Sequence, residues 1–311
     1  MKHIGLDLVR VTEGAAIAAS AWVGSGNKLL ADRDATDAMR RRLNNMDFRG
    51  VIRIGEGKKD QSYGLFKGEE LGNLPADYEP GLSNPPKVYD IGVDPIDGTT
   101  PTVTSGPEAT SVIAISEKDS MFDTEEHYML KLAVGPTIPP YKARQLNFSM
   151  PLPDICNFVA DALNKPLNKL MVCILNRPRH ELWIKQMRDL GVRIKLIQDC
   201  DISGAIATCL PDGGIDMQFG VGGAPEAAIT AAAMKCLRGF FLAQLWNENL
   251  FGPEMNQDQL VQGPCAFAAT GITDGSLLKG VRWTARGPIT NSVFMRSESR
   301  TVRWLTTNHG N

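Results

Sequence analysis

Neither sign of charge dominates this sequence: 33 Lys and Arg face 35 Asp and Glu, for a net charge of −2. That balance gives no electrostatic footprint for nucleic acid or a membrane surface, and no basic stripe with interleaved aromatics occurs. No apolar run approaches the length that spans a bilayer. The opening Met1-Lys2-His3-Ile4-Gly5-Leu6-Asp7 lacks the apolar core of a secretory signal, so a cytoplasmic protein is expected. Histidine is scarce, with four residues, and none is spaced from a cysteine as zinc ligands are. The six cysteines, Cys156, Cys173, Cys200, Cys209, Cys236 and Cys265, form no CxxC pair and sit mostly in apolar contexts. A zinc site is therefore not expected, and a reduced compartment fits. There is no heptad run, internal repeat or low-complexity segment.

Helical and strand patterns alternate along most of the chain. Helices are expected over Val11–Val23 and Asp34–Leu43, then a short strand, Val51-Ile52-Arg53-Ile54, running into Gly55-Glu56-Gly57. Leu71–Pro86, rich in Pro, Gly and Asn, reads as loop. Further on, helices at Pro153–Leu163, Pro178–Leu190, Ile202–Cys209 and Pro225–Leu237 alternate with strands at Leu170–Leu175, Val192–Ile197 and Ile215–Phe219. Later strands are expected at Cys265–Thr270, Asn291–Arg296 and Thr301–Leu305. Such alternation argues for a layered α/β architecture. A proline-rich break near Gly135–Tyr141 suggests two lobes, residues 1–147 and 148–311.

The most informative stretch is Asp94-Pro95-Ile96-Asp97-Gly98-Thr99. It follows the apolar run Val88-Tyr89-Asp90-Ile91-Gly92-Val93, a buried strand expected to end at Asp94. Pro95 cannot continue a ladder, and Gly98 permits a tight turn. Two carboxylates are then held together with a hydroxyl close behind. Like charges this near repel unless a cation sits between them, and oxygen ligands suit Mg²⁺ or Mn²⁺. An acidic Pro-Gly turn with no ion reads equally well from these residues alone.

Other acids have the same placement. Asp32 ends Lys28-Leu29-Leu30-Ala31-Asp32; Glu56 stands between Gly55 and Gly57, with Asp60 beyond. Glu226 closes Gly222-Gly223-Ala224-Pro225-Glu226, where proline opens a helix. Singly, Asp32 and Glu56 read as solvated, and Glu226 as a partner of the helix dipole.

Together these pieces make the chain resemble the class II fructose-1,6-bisphosphatases, the bacterial and cyanobacterial type, within the lithium-sensitive, metal-dependent phosphatase superfamily. The likeness runs from Val11-Thr12-Glu13 to about Thr301-Val302-Arg303. It rests on Gly55-Glu56-Gly57, Asp94–Thr99, Tyr128-Met129-Leu130-Lys131-Leu132, Arg177-Pro178-Arg179-His180, Gly222–Glu226 and Ala269-Thr270-Gly271-Ile272-Thr273. Gly222–Glu226, in place of the WDxAAG of inositol monophosphatases, marks class II.

The resemblance implies a layered α-β-α-β-α sugar phosphatase fold with two lobes, the first binding metal and the second adding sugar-phosphate contacts and Glu226. It implies Mg²⁺ or Mn²⁺ held by Asp32, Glu56, Asp94, Asp97 and Glu226. Asp60 and Thr99 would orient and deprotonate the attacking water. Lys28, Tyr128, Lys131, Arg177, Arg179 and Gly223 would hold the bisphosphate, and Asp199 and Asp201 would take its hydroxyls. It also implies a homo-oligomer, a dimer or tetramer, with a sugar bisphosphate as its partner. His127 and His180 read as structural, and Met121, Met129 and the tryptophans as packing.

The chain departs from the family in four places. Asp97 replaces a glutamate, Lys58 replaces another beside the metal cluster, and Thr100–Glu108 stands for a Gly-Gln-Asn type loop. Gly239–Gly263 is much shorter than the family's helical insertion and reads as loop. The activity expected is hydrolysis of the 1-phosphate of fructose 1,6-bisphosphate. Alternatives are sedoheptulose 1,7-bisphosphate, alone or in addition, and a non-catalytic sugar-phosphate-binding paralogue.

Overall fold

The structure, a computed structural model, describes residues 4–55, 64–74, 88–125 and 127–310. It has two compact units, Met1–Asp123 with Val261–Asn311, and Thr124–Leu260. The boundary read near residue 147 falls inside the second unit. The strand Tyr128–Val134 pairs with later strands of that unit, which draws residues 124–147 into it.

The first unit opens with helices α1 (Gly5–Ser20) and α2 (Lys28–Asn44). Leu8, Val11, Ala15, Ala16 and Ala19 of α1 share one core with Ala31, Ala35, Met39 and Leu43 of α2. The small residues let the two axes approach closely. Asn27 starts α2 by accepting the Leu30 amide at 3.1 Å, a side-chain N-cap. Strand β1 (Arg49–Ile54) is flanked by antiparallel β2 (Glu70–Leu71) and parallel β3 (Val88–Asp97). After α3 (Thr99–Thr104), β4 (Thr110–Glu117) returns antiparallel to β3.

The second unit contains β5 (Tyr128–Val134), α4 (Pro140–Ala143), α5 (Leu152–Ala162), β6 (Met171–Leu175), α6 (Glu181–Asp189) and β7 (Arg193–Ile197). It continues through α7 (Asp201–Ala207), β8 (Met217–Gly223), α8 (Ala224–Leu237), β9 (Phe240–Asn247), β10 (Asn249–Asn256) and α9 (Gln257–Leu260). Its sheet runs β10-β9-β5-β8-β6-β7. Side chains on a strand alternate between faces. Leu130, Leu132 and Val134 of β5, with Phe219 and Val221 of β8, therefore face one core, shared with Ile155, Cys156 and Val159 of α5. Lys131 points to the opposite face, where α7 and α8 pack.

The chain then re-enters the first unit with β11 (Cys265–Gly271), β12 (Arg282–Thr284), β13 (Gly287–Arg296) and β14 (Thr301–Asn308). Among the described residues its sheet runs β12-β13-β11-β4-β3-β1-β2, with β14 also paired to β13.

Three local expectations are corrected. Gly239–Gly263 is not loop but largely the β9–β10 hairpin and α9: Phe240, Phe241, Leu242 and Ala243 bury against β5 and carry the segment into the sheet. Thr100–Glu108 begins as helix α3. The strand read as ending at Asp94 continues to Asp97 across an irregularity: Asp94 pairs with Val112 and Asp97 with Thr110. Three steps on β3 oppose two on β4, a bulge at the ladder position where Pro95 has no N–H to give. The Leu71–Pro86 loop falls mostly outside the described residues.

All six cysteines remain thiols. Burial pushes Cys156 and Cys209 up to about 12, which makes both inert at neutral pH. No helix among the described residues is long and apolar enough to cross a membrane.

Candidate active site

In the first unit the β3 bulge sets the geometry. Asp94 Oδ1 accepts the Ile96 amide at 3.0 Å, closing the turn over Pro95. Asp97 is buried, and Gly98 follows with φ 103° and ψ 56°, a left-handed conformation natural to glycine. The chain can thus pass from strand into α3 within one residue. Thr99, first in α3, donates its hydroxyl to Asp32 Oδ1 at 3.0 Å. One turn before Asp32 on α2, Lys28 reaches Thr100 Oγ1 at 2.8 Å.

Glu56 and Asp60, expected as ligand and base, lie outside the described residues. Gly55, just before them, is forced by backbone: a Cβ there would stand 2.0 Å from the Leu65 carbonyl oxygen. Among the described residues, no group of three or more His, Cys, Asp or Glu side chains is placed to hold a metal ion.

In the second unit a polar cluster occupies the α7–α8 face of the sheet. Lys131, 1% exposed, donates to Asp201 Oδ2 at 2.8 Å. Gly222 and Gly223 leave the space that these neighbours fill. A Cβ on Gly222 would meet Asp201 Oδ2 at 2.0 Å and Lys131 Nζ at 2.9 Å; one on Gly223 would meet Glu226 Oε2 at 1.9 Å. Glu226 sits in the first turn of α8, half-buried as a residue, but its Oε2 is fully enclosed and has no hydrogen-bond partner among the described residues. Burial raises the Glu226 pKa, the Lys131 ammonium opposes that rise, and Asp201 adds to it. A buried carboxylate oxygen with no donor among the described residues is the environment that a hard divalent cation relieves.

The arginines arrive from the turn after β6. Arg177 Nη2 is paired with Asp199 Oδ1. Arg179 donates Nε and Nη2 to the Val221 carbonyl at 3.2 and 2.8 Å, and its guanidinium lies 4.9 Å from the Tyr128 ring centre. Burial is the main influence on Arg179 and lowers its pKa. His180 next to it is fully buried. Its Nδ1 bonds the Leu175 carbonyl at 2.7 Å and its Nε2 accepts the Val221 amide at 2.9 Å. That pairing requires the neutral ring with the proton on Nδ1, and burial lowers its pKa accordingly. His180 anchors the turn that presents Arg177 and Arg179.

The first unit thus joins Thr99 to Asp32. The second joins Lys131 with Asp201, Arg177 with Asp199, Arg179 with Tyr128, and seats Glu226 on Gly223. The sequence reading did not foresee that Lys131 and Asp201 satisfy each other, although a single Lys in the apolar run Met129–Ala133 is the mark of a buried, paired cation. It also assigned nothing to the Val221 carbonyl, which holds Arg179.

The family model for "Bacterial fructose-1,6-bisphosphatase, glpX-encoded" matches residues 2–309. The chain belongs to that family. Among its relatives is a protein of Synechocystis sp. named D-fructose 1,6-bisphosphatase class 2/sedoheptulose 1,7-bisphosphatase, 35% identical across 98% of this chain and 96% of the relative. Proteins of the same name from Microcystis aeruginosa and Crocosphaera subtropica show the same identity and coverage. The family assignment makes this an α/β phosphatase.

Proposed function

We propose that the protein hydrolyses the 1-phosphate of fructose 1,6-bisphosphate, and that sedoheptulose 1,7-bisphosphate is a second substrate. The names of the cyanobacterial relatives support the dual reading. The observation that carries the chemistry is the Thr99 hydroxyl on Asp32 Oδ1, beside the bulge that presents Asp94 and Asp97. A hydroxyl fixed by a carboxylate points its remaining lone pair in a set direction, which is what orienting an attacking water needs.

We assign Asp32, Glu56, Asp94, Asp97 and Glu226 to holding Mg²⁺ or Mn²⁺. When bound, such an ion would supply Lewis-acid polarisation of the phosphoryl oxygens and lower the pKa of water. Asp60 is assigned as the group that takes the water's proton, and Thr99 as the group that aims the water. Arg177 and Arg179 bring guanidinium donors to the phosphate that stays on the sugar. Asp199 orients Arg177, and Lys131 holds Asp201, the carboxylate assigned to the sugar hydroxyls. Tyr128 and Gly223 border the same place, and Lys28 adds a cation beside α3. We further assign a cytoplasmic homo-oligomer, which sedimentation of the native protein tests.

Phosphate release from both bisphosphates with Mg²⁺ or Mn²⁺ tests the activity. Turnover lost on chelation and restored by either ion is the expected result; undiminished turnover after exhaustive chelation overturns the mechanism.

A further inference from the structure

Among the described residues, Trp246 is the one aromatic side chain in ring contact with Tyr128, and it lies in the β9–β10 hairpin. β9 runs antiparallel to β5 with Leu245 opposite Met129, so the next pair outward is Trp246 and Tyr128. The two rings meet edge to face, 6.2 Å between centres and 82° between planes. On the other flank of Tyr128 stands Gly223, which has no side chain to offer. Tyr128 is 41% exposed, so its ring orientation depends on Trp246 at one side and on the guanidinium of Arg179 over its face.

Trp246 is itself fixed. It packs on the core of the second unit and stands opposite Leu250 in the β9–β10 ladder. Gln244 braces that hairpin by donating Nε2 to the Gly252 carbonyl at 2.8 Å. The result is a stack from the core outward: Trp246, Tyr128, Arg179. Arg179 spends Nε and one Nη2 proton on the Val221 carbonyl. Its Nη1 bonds no described residue, so the stack holds the plane of a guanidinium that has donors to spare.

We propose that Trp246 is a positioning residue for anion binding: it holds Tyr128 against Arg179 and so orients the guanidinium toward the phosphate that is not hydrolysed. This rests on the substrate reading above. An aromatic edge on a tyrosine ring leaves the ring face to a cation, and both contacts strengthen when water is excluded. Trp246 acts only through Tyr128.

The test compares Trp246→Leu, which keeps apolar volume against the core, with Trp246→Phe, which keeps an aromatic edge. The readouts are KM for fructose 1,6-bisphosphate, inhibition by fructose 6-phosphate, and Tm. Trp246→Leu should raise KM and weaken fructose 6-phosphate binding about three- to tenfold, the scale of one aromatic pair, with kcat moving less than KM. Trp246→Phe should recover most of that loss. In an Arg179→Ala background the Trp246→Leu effect should vanish, because the two act in series. A Trp246→Leu protein that melts lower but binds fructose 6-phosphate like wild type overturns the inference, as does an undiminished effect in the Arg179→Ala background. If the Leu variant does not fold, Trp246→Met takes its place. Should the wild type hydrolyse neither bisphosphate, the function reading falls, and calorimetric binding of fructose 6-phosphate to the same variants still decides the role of Trp246; no binding to wild type overturns it as well.

Discussion

Lys131→Met is the substitution whose outcome the structure specifies most tightly. The ammonium is buried on the inner face of β5, and its hydrogen-bond partner, Asp201 Oδ2, belongs to a residue only 6% exposed. Methionine keeps the length and the apolar stem, so packing changes little. What is lost is the counter-charge. Asp201 is left as a buried carboxylate, with a second carboxylate, Glu226, already raised in pKa beside it. Removing one partner of a buried pair costs about 3–5 kcal/mol, because the stranded charge must be desolvated alone. For a unit of this size that corresponds to a fall in Tm of roughly 10–20 °C. Replacing both partners is different: Lys131→Met with Asp201→Leu removes the charges together and should recover most of the loss.

The assay is a double-mutant cycle by thermal and urea unfolding of the four proteins without added metal. The double variant should be more stable than the sum of the singles predicts by about 2 kcal/mol or more, within the range for side chains in direct contact. A Lys131→Met protein within 1 kcal/mol of wild type would show that Asp201 is not stranded without its counter-charge, and additive singles would show no coupling. Either result refutes the buried pair and the role given to Asp201.

Thr99→Val keeps the shape of the threonine but removes the hydroxyl on Asp32; it should lower kcat about 10²-fold with KM and Tm little changed, as steady-state kinetics and melting will show. Gly223→Ala places a methyl carbon 1.9 Å from Glu226 Oε2, so the carboxylate must move; the Mn²⁺ concentration giving half-maximal activity should rise while metal-free Tm changes little. His180, with a folded pKa below its ordinary 6.5, binds its proton more weakly folded than unfolded. Its contribution is complete above pH 6.5 and is lost as pH falls from there toward the lower folded value, so Tm should drop on acidification, and less steeply in His180→Asn, measured from pH 7.5 to 5.

Much of the fold was legible because its signals are local. The helix Pro225–Leu237 announced itself by a glycine pair, a proline at the first turn and an unbroken apolar run, and it forms as Ala224–Leu237. The strands Val192–Ile197 and Cys265–Thr270 did the same with β-branched or small apolar runs between turn residues. The failures share a cause. Residues 239–263 carry Asn, Gly and Pro at the spacing of loops, yet Phe240–Ala243 find a partner in β5 more than a hundred residues earlier, and that pairing outweighs local propensity. Tertiary pairing of this kind has no short-range signature.

The site divides along the same line, and the division bears on how its residues should be tested. Asp94, Asp97 and Thr99 are set by three consecutive local devices: an Asx turn over proline, a bulge and a left-handed glycine. Each is written in Asp94–Thr99 itself, so the hexapeptide specifies its own shape. Lys131 and Asp201 stand 70 residues apart in the chain and are joined only by the packing of α7 on the sheet. From sequence each looked like a separate contact for substrate, whereas a pair that satisfies itself has less to give to a ligand. Disturbing Asp94 or Thr99 should therefore impair chemistry and leave folding intact, while disturbing Lys131 should impair both together. A kinetic defect in a Lys131 variant consequently says nothing about phosphate contact until its stability loss has been repaired, and the Lys131→Met, Asp201→Leu protein is the background in which that can be done. If substrate affinity returns there along with stability, Lys131 acts as scaffold; if stability returns and affinity does not, the pair serves the sugar directly.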